Sequence, residues 1–189
     1  MPDEFPAPAS VSTVGHSTHS IEDFIAILKA HGIGELIDVR TIPRSRHNPQ
    51  FNRENLPASL QAAGISYRHM PGLGGLRRAR PDSINTGWRN ASFRGFADYM
   101  QTAEFRANLE NLIERARHRP LAIMCAEAVP WRCHRSLIAD ALTARGIPVR
   151  EILSATNARM HSLTPFARVH ETEVSYPGGD NLKLKFDDQ

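Results

Sequence analysis

The sequence predicts an α/β protein, a three-layer sandwich in which helices cover both faces of a mostly parallel, Rossmann-like or flavodoxin-like sheet. Short apolar runs typical of buried strands alternate along the chain with segments whose apolar residues recur at helical spacing. Several helical segments end at a glycine, and polar residues cluster just after the strands. This alternation favours parallel strands joined by helical crossovers.

The first half of the domain is predicted to alternate strand and helix twice before a third strand. Ser20 is a suitable N-cap for the first helix, whose apolar residues in the segment 21–28 recur at helical spacing before a stop at Gly32. A second helix closes at Gly64. The predicted strands are residues 11–14, 36–39 and 65–69, and the second helix is residues 53–63.

The second half contains two consecutive helical segments, a strand, a helix and a last strand. Phe105, Leu109 and Leu112 lie on one face of the longer helical segment. Residues 81–94 show no clean period, and we interpret them as an ordered excursion over the site or a mobile lid. The helices are predicted at residues 95–102, 103–117 and 136–145, and the strands at residues 121–125 and 148–153.

The two ends of the chain differ from this central domain, which we place at residues 11–153. Residues 1–10 contain three prolines and are predicted to form a flexible leader. Residues 154–189 form a C-terminal extension in which segments 164–170 and 173–176 have strand character, so we predict a small hairpin-like appendage. A turn is expected at residues 177–181, followed by apolar residues alternating with lysine at residues 182–186.

Composition places the chain among ordinary soluble globular proteins, with 41% hydrophobic residues and a formal net charge of +3. Only three of its 23 basic residues are lysines. Because the planar guanidinium suits phosphate and carboxylate, this arginine excess favours an anionic ligand, although biased codon usage would give the same composition. Two cysteines are too few for a disulfide framework, and neither a signal peptide nor a membrane span of roughly 20 residues is recognisable. We therefore expect a cytoplasmic protein without membrane contact.

The loop after the strand at residues 121–125 concentrates reactive side chains. Parallel strands end at one edge of a sheet, where ligands bind in open α/β folds, so residues after the other strands should meet this loop there. The loop contributes Cys125, Glu127, Arg132, Cys133, His134 and Arg135, and the other strand ends contribute His16, Ser17, Arg40, Arg44, Gly74 and Gly75. We predict a ligand site at this edge.

Six short motifs lie in order within residues 11–152. They are Gly15-His16-Ser17, Asp38-Val39-Arg40, Pro43-Arg44-Ser45, Leu73-Gly74-Gly75, Cys125-Ala126-Glu127 and Cys133-His134-Arg135. With these motifs the chain resembles the family called domain of unknown function 488. It departs from the family pattern at Val129-Pro130-Trp131, where relatives commonly have an acidic residue before the proline. The resemblance implies an α/β fold and a site at the motifs, but no established reaction.

Individual residues of the loop permit both chemical and structural roles. Glu127 is the candidate general acid or base, because a carboxyl group in a desolvated crevice can titrate near neutrality; an ion pair with a neighbouring arginine would be structural instead. Cys125 ends a buried strand and is either a nucleophile or a core residue. Cys133 lies near a helix start, where the dipole stabilises a thiolate. Asp38 should be mostly buried and should orient Arg40 or a backbone group.

Three functional hypotheses follow. The first is an enzyme that binds a phosphate-bearing nucleotide or nucleic-acid-like substrate, with Glu127 in acid–base work, Cys125 near the reacting centre and arginines holding the anion. The second is a non-enzymatic nucleic-acid binder with a basic arginine face. Trp88, Phe93 and Trp131 are candidates for base stacking or for local packing.

The third hypothesis is a metal or thiol protein. Cys125, Cys133 and His134 would then supply three ligands to zinc or iron, with His16 or Glu127 as a fourth. Their spacing is unlike that of a standard zinc finger. No other cofactor is expected, and the sequence indicates no particular oligomeric state.

Overall fold

Five parallel strands and one antiparallel edge strand form the central sheet of the computed structural model, which describes residues 9–179. The parallel strands are β1 (Val11–Gly15), β2 (Glu35–Asp38), β3 (Ser66–His69), β4 (Leu121–Cys125) and β5 (Val149–Ile152), and the edge strand is β6 (Ala158–Met160). Their spatial order is β3-β2-β4-β1-β5-β6. The predicted mostly parallel sheet is confirmed.

Helices cover both faces of this sheet. They are α1 (Ile21–Ala30), α2 (Leu56–Ala62), α3 (Ala91–Tyr99), α4 (Ala103–His118) and α5 (Arg135–Thr143). Alternate residues of β4 point to opposite faces: Ala122 and Met124 pack with α1 and α2, whereas Ile123 and Cys125 pack with α3, α4 and α5. The three-layer sandwich is therefore confirmed. None of the helices in the described part of the chain is long and apolar enough to cross a membrane.

The strand order opens a crevice at the carboxyl ends of β1 and β4. From β1 the chain passes through α1 to β2 on one side, and from β4 it passes through α5 to β5 on the other side. Because these crossovers run in opposite directions, α1 and α5 cover opposite faces of the sheet. The loops after β1 and β4 therefore diverge, which creates the usual ligand position of an open α/β sheet.

Local sequence signals explain where several helices begin and end. The Ser20 hydroxyl accepts a hydrogen bond from the amide of Asp23, which confirms the predicted N-cap. Gly32 follows α1 with a φ of +67°, a left-handed conformation that favours glycine. Helix α3 begins four residues earlier than predicted, because the Asn90 side chain caps it by accepting hydrogen bonds from two amides of its first turn.

The irregular segment 81–90 packs against the rest of the protein away from the cavity described below. Ser83 and Asn85 donate hydrogen bonds to the buried carboxylate of Asp98 in α3, at 2.6 and 2.8 Å. Trp88 packs against Tyr176 of the C-terminal extension, with ring centroids 5.4 Å apart. The predicted excursion is thus present, but the prediction that it covers the candidate site is wrong.

The C-terminal extension is a hairpin joined closely to the core. Strands β7 (Arg168–His170) and β8 (Glu173–Ser175) form the predicted antiparallel hairpin, and β6, which the sequence pattern did not reveal, extends the main sheet along β5. Tyr176 is fully buried, and its hydroxyl donates a 2.7 Å hydrogen bond to Asp140 of α5. Most of the predicted leader and the alternating segment 182–186 lie outside the described residues.

Candidate functional site

A cavity of about 380 Å³ lies at the carboxyl ends of β1, β2 and β4. Its wall combines predicted site residues from four separate loops: His16, Arg40, Arg44, Gly75, Cys125, Glu127, Cys133 and His134. Four further predicted residues lie outside this wall: Ser17, Gly74, Arg132 and Arg135. Five wall residues were not predicted: Thr41, Ile42, Ser45, Leu76 and Ala126.

Backbone contacts hold the loops after β1 and β4 together. The amide of His16 donates to the carbonyl of Cys125, and the amide of Ser17 donates to that of Ala126, both at 3.0 Å. A Cβ atom at Gly15 would collide with the backbone of Glu127. The Gly-His-Ser motif therefore begins with glycine because the second loop passes directly over it.

Arg40 is held in the wall of the cavity by Asp38 at the end of β2. Both side chains are buried, and the Asp38 carboxylate accepts hydrogen bonds from Nε and Nη2 of Arg40 at 2.9 and 2.6 Å. The same carboxylate accepts hydrogen bonds from the Arg40 amide and from the Tyr67 hydroxyl. Nη2 of Arg40 also donates to the carbonyl of Phe51 at 2.7 Å. The expectation that Asp38 is buried and orients Arg40 is confirmed.

His16 is a neutral part of this scaffold. Its Nδ1 lies 2.9 Å from the carbonyl of Ser17, and its Nε2 lies 3.2 Å from Nη1 of Arg40. Both contacts are hydrogen bonds only if Nδ1 bears the proton and Nε2 accepts. The ring is buried and stacks on Phe51, and burial together with the charge of Arg40 lowers the pKa of His16 to about 4. His16 is therefore uncharged at neutral pH.

The two cysteines are neighbours on the cavity wall. Both are buried, and the Cys133 Sγ lies 3.6 Å from Nδ1 of His134 and 3.5 Å from the amide nitrogen of Arg135. Burial and the neighbouring Cys133 raise the pKa of Cys125 well above its ordinary value. Burial opposes ionisation of Cys133 as well, but the neighbouring Cys125 and His134 and the charge of Arg135 hold its pKa well below the ordinary value.

Arg135 is a buried cation with incomplete hydrogen bonding. Its side chain is 1% exposed, and its Nη2 donates to the carbonyl of Glu127 at 2.7 Å. Its Nε and Nη1 are buried without a hydrogen-bond partner, and no carboxylate in residues 9–179 forms an ion pair with it. Its charge acts on Cys125, Cys133 and His16. A buried guanidinium without a counter-ion is costly, so an anion beside it is stabilised.

Glu127 lies at the rim of the cavity with its side chain exposed, rather than in the desolvated crevice that we expected. Its carboxylate accepts a 3.4 Å hydrogen bond from the amide of Val129. It forms no ion pair with an arginine of the described residues, so its predicted structural pairing is not formed. Arg44 and Arg132 are also exposed, and only Arg44 lines the cavity.

The cavity has an apolar rim that the sequence pattern did not indicate. Ile42 and Leu76 line it with exposures of 64% and 74%. Leu76 has a φ of +58°, in the left-handed region that apolar residues rarely adopt. The position of Leu76 directly after two glycines was the available signal, since it places an apolar side chain in an irregular loop. Tyr67, which supports Asp38, belongs to β3 beside β2 and was also missed.

The aromatic candidates for base stacking lie outside this cavity. Trp88 stacks on Phe93 with centroids 4.8 Å apart, so both act as local packing anchors. Trp131 is exposed, and the Arg159 guanidinium lies 5.0 Å from the centre of its ring. Trp88 and Trp131 line a second cavity of about 410 Å³, whose wall includes the buried His161.

Residues 9–179 contain no group of three histidine, cysteine, aspartate or glutamate side chains placed to bind a metal ion. The cavity instead combines guanidinium groups, paired thiols and one carboxylate, which suits the binding of an anion beside a nucleophile.

Fold and cavity together define a class: an open α/β domain with an arginine- and cysteine-containing site at the carboxyl ends of its central strands. The family model for Domain of unknown function DUF488 matches residues 20–142, and the chain belongs to this family. The matched range includes Arg40, Cys125, Cys133 and Arg135, so the resemblance seen in the sequence motifs is confirmed. Comparison with curated proteins gave no significant match, and neither did comparison with solved structures.

Proposed function

We propose that this protein is an enzyme that binds a small anionic substrate, a phosphate-bearing nucleotide or nucleic-acid-like compound, in the cavity at the strand ends. Glu127 acts as general acid or base at the rim, and the Cys125–Cys133 pair lies beside the reacting centre. The observation that carries this proposal is the charge of the wall: Arg40 and Arg44 line it, and Glu127 is the one carboxylate among its lining residues within the described range.

The two arginines of the wall have complementary properties. Arg40 is fixed by Asp38, Phe51 and His16, which use four of its five N–H donors and leave one of the Nη1 donors for a ligand. Arg44 is exposed, and its side chain forms no hydrogen bond within residues 9–179, so all of its donors are free. A fixed cation beside an adjustable one supports binding of a phosphate group through charge-assisted hydrogen bonds.

The apolar rim supports a substrate that has more than a phosphate group. Ile42 and Leu76 flank the cavity and expose most of their side-chain surface. A base or sugar ring would cover this surface when the phosphate lies against the arginines. The cavity, at about 380 Å³, is of a size typical for small-molecule sites.

An enzyme explains this wall better than a nucleic-acid-binding surface does. Binding along a nucleic-acid backbone requires a row of exposed cations and is dominated by counter-ion release. A buried thiol pair and a carboxylate at the cavity contribute nothing to such binding. The presence of Cys125, Cys133 and Glu127 in the same wall as Arg40 therefore favours catalysis.

Ligand-induced stabilisation tests the proposal. Thermal unfolding in the presence of inorganic phosphate, nucleoside monophosphates and nucleoside diphosphates should show stabilisation by at least one of them, about 2.7 kcal/mol at 100 times its dissociation constant. Arg44→Ala should weaken this binding roughly 10-fold, the value of one charge-assisted hydrogen bond. Arg89→Ala, at an exposed arginine outside the cavity, should bind like the wild type. Stabilisation by oligonucleotides alone, abolished by salt, would show a nucleic-acid binder instead.

The ligand found in this way then allows a test of Glu127. Glu127→Gln should bind it with unchanged affinity and turn over a substrate of the same class at least about 100-fold more slowly, because the amide cannot exchange a proton. Unchanged turnover would remove Glu127 from the mechanism.

A further inference from the structure

We propose that Cys133 is present as a thiolate and is the nucleophile of this site, and that Cys125 beside it keeps its proton. The nucleophilic role rests on the proposed function, whereas the assignment of the charge to Cys133 does not depend on it.

The position of Cys133 at the start of α5 favours a negative charge on its sulfur. It follows the short helical turn Pro130–Arg132, and one residue, His134, separates it from the first residue of α5. The first amides of a helix lack partners within the helix, and the amide of Arg135, the first helical residue, points to Sγ at 3.5 Å. His134 approaches the same sulfur with Nδ1 at 3.6 Å. The Arg135 amide is therefore one donor aimed at Cys133 from the start of α5, and His134 is a second in the tautomer that has its proton on Nδ1.

The buried guanidinium of Arg135 provides an independent argument. Its Nε and Nη1 have no hydrogen-bond partner, although the side chain is 1% exposed. Burial of an unpaired cation costs several kcal/mol, so the protein needs a negative charge next to it. No aspartate or glutamate in the described residues provides this charge. The Cys133 thiolate would supply this charge from two residues away, where its sulfur already contacts the backbone amide of Arg135.

The two thiols differ in what surrounds them, which decides which one is charged. Cys125 ends β4 within the core, where its Sγ is 3.8 Å from the carbonyl of Glu127, an acceptor that favours a protonated thiol. Cys133 receives donors instead. The titratable and charged groups around the pair are His16, Arg40, Arg44, Glu127, His134 and Arg135. Of these, Arg44 and Arg135 are cations without a carboxylate partner in the described residues, Arg40 is paired with Asp38, His16 is neutral and Glu127 is exposed, so the local field favours the thiolate.

The proposed reaction has two steps, attack by the Cys133 sulfur and then attack by water, and Glu127 carries a proton. A lone pair of the Cys133 sulfur forms a bond to an electrophilic carbon or phosphorus atom of the substrate, and the bond to the leaving group breaks with its electrons on that group. The leaving group takes a proton from solvent. Water then attacks the adduct and gives a proton to the Glu127 carboxylate, which returns it to solvent, and the thiolate leaves with the electrons of the broken bond.

Alkylation with iodoacetamide tests the charge on Cys133 without knowledge of the substrate. The thiolate displaces iodide and forms a carbon–sulfur bond, and mass spectrometry of peptides locates the product. We expect the label on Cys133, with a rate that rises with pH around a midpoint below the 8.5 of a free cysteine. Cys125→Ser should retain both the label on Cys133 and this low midpoint, because the Arg135 amide that donates to the Cys133 sulfur is unchanged.

A second measurement does not depend on access of the reagent. The ultraviolet absorbance of the thiolate, followed against pH in the wild type and in Cys133→Ser, should show a titration at low pH that the serine variant lacks. Preferential labelling of Cys125, or an ordinary midpoint for Cys133 in both measurements, would overturn the assignment.

The outcome can be separated from that of the proposed function by adding inorganic phosphate to the alkylation. Protection of Cys133 by phosphate would support both proposals. A low midpoint without protection by phosphate or by any nucleotide would retain the thiolate and contradict the anionic substrate. Binding of phosphate together with an ordinary alkylation midpoint for Cys133 would retain the anionic substrate and contradict the thiolate.

Discussion

Replacement of Asp38 with asparagine is expected to lower the free energy of unfolding by about 3–5 kcal/mol. The side chain keeps its shape, so no space is created, but the buried guanidinium of Arg40 loses its counter-charge. That guanidinium cannot regain water, because Arg40 is 7% exposed and Asp38 is fully buried. Urea unfolding followed by circular dichroism measures the effect.

A matched control is available on the surface of the same protein. Arg80 and Asp82 form the same kind of two-bonded pair, with distances of 3.0 and 2.8 Å, between residues that are likewise two positions apart. Their side chains are 62% and 70% exposed, so water replaces the lost interaction. Asp82→Asn should leave the unfolding midpoint unchanged within error. Equal effects of the two substitutions would contradict the argument from burial.

The Asp38 substitution should also affect the candidate site. Arg40 is the fixed cation of the cavity wall, and Asp38 determines its position. The variant, studied at a temperature where it remains folded, should therefore bind the anionic ligand more weakly than the wild type does. Arg44→Ala should weaken binding without this loss of stability, because Arg44 is exposed.

The parts of the fold that could be predicted from sequence are those with regular periodicity. Strand β4 is a continuous apolar run, and α4 shows apolar residues at helical spacing, so their positions agree with the prediction almost residue for residue. Parallel strands place their carboxyl ends at one edge of the sheet. This rule alone was enough to predict that His16, Arg40 and Cys125 lie close together, as they do in the cavity wall. The pairing of Asp38 with Arg40 could be predicted because Asp38 ends β2 and Arg40 lies only two residues further along the chain.

The parts that were missed depend on contacts between distant segments or on irregular loops. Strand β6 has three residues, too few to show alternation. The exposure of Glu127 and the position of Leu76 are set by loop geometry that has no period in the sequence. Cys125 and Cys133 line the same cavity because the loop between them folds back, which the spacing of the two cysteines does not reveal.

A second large effect is expected from His161 in the C-terminal extension. Its ring is buried between two carboxylates, with Nε2 2.8 Å from Asp140 and Nδ1 2.8 Å from Glu151. Burial opposes the charge, but the hydrogen bonds to Asp140 and Glu151 raise the pKa of His161 to about 9, against 6.5 for an ordinary histidine. His161 is therefore charged at neutral pH and joins β6 to α5.

This raised pKa gives a defined dependence of stability on pH. Between pH 6.5 and about 9, the folded state retains a proton on His161 that the unfolded state has released. The unfolded state thus binds fewer protons, and stability falls as pH rises through this window. The contribution, on the order of 3 kcal/mol, is fully present below pH 6.5 and is lost by about pH 9 to 10.

Comparison of the wild type with His161→Gln isolates the contribution of the His161 proton to the free energy of unfolding. The difference in unfolding free energy between the two proteins should shrink as pH rises from 6.5 to 9.5, because the other titrating groups, including Cys133, are common to both and cancel. His118→Gln is the control: His118 is paired with Glu114 on the surface, with its side chain 71% exposed, so this variant should keep the pH dependence of the wild type. Parallel profiles for the wild type and His161→Gln would mean that the proton on His161 does not distinguish the folded from the unfolded state, and that Asp140 and Glu151 hold the ring as a neutral group.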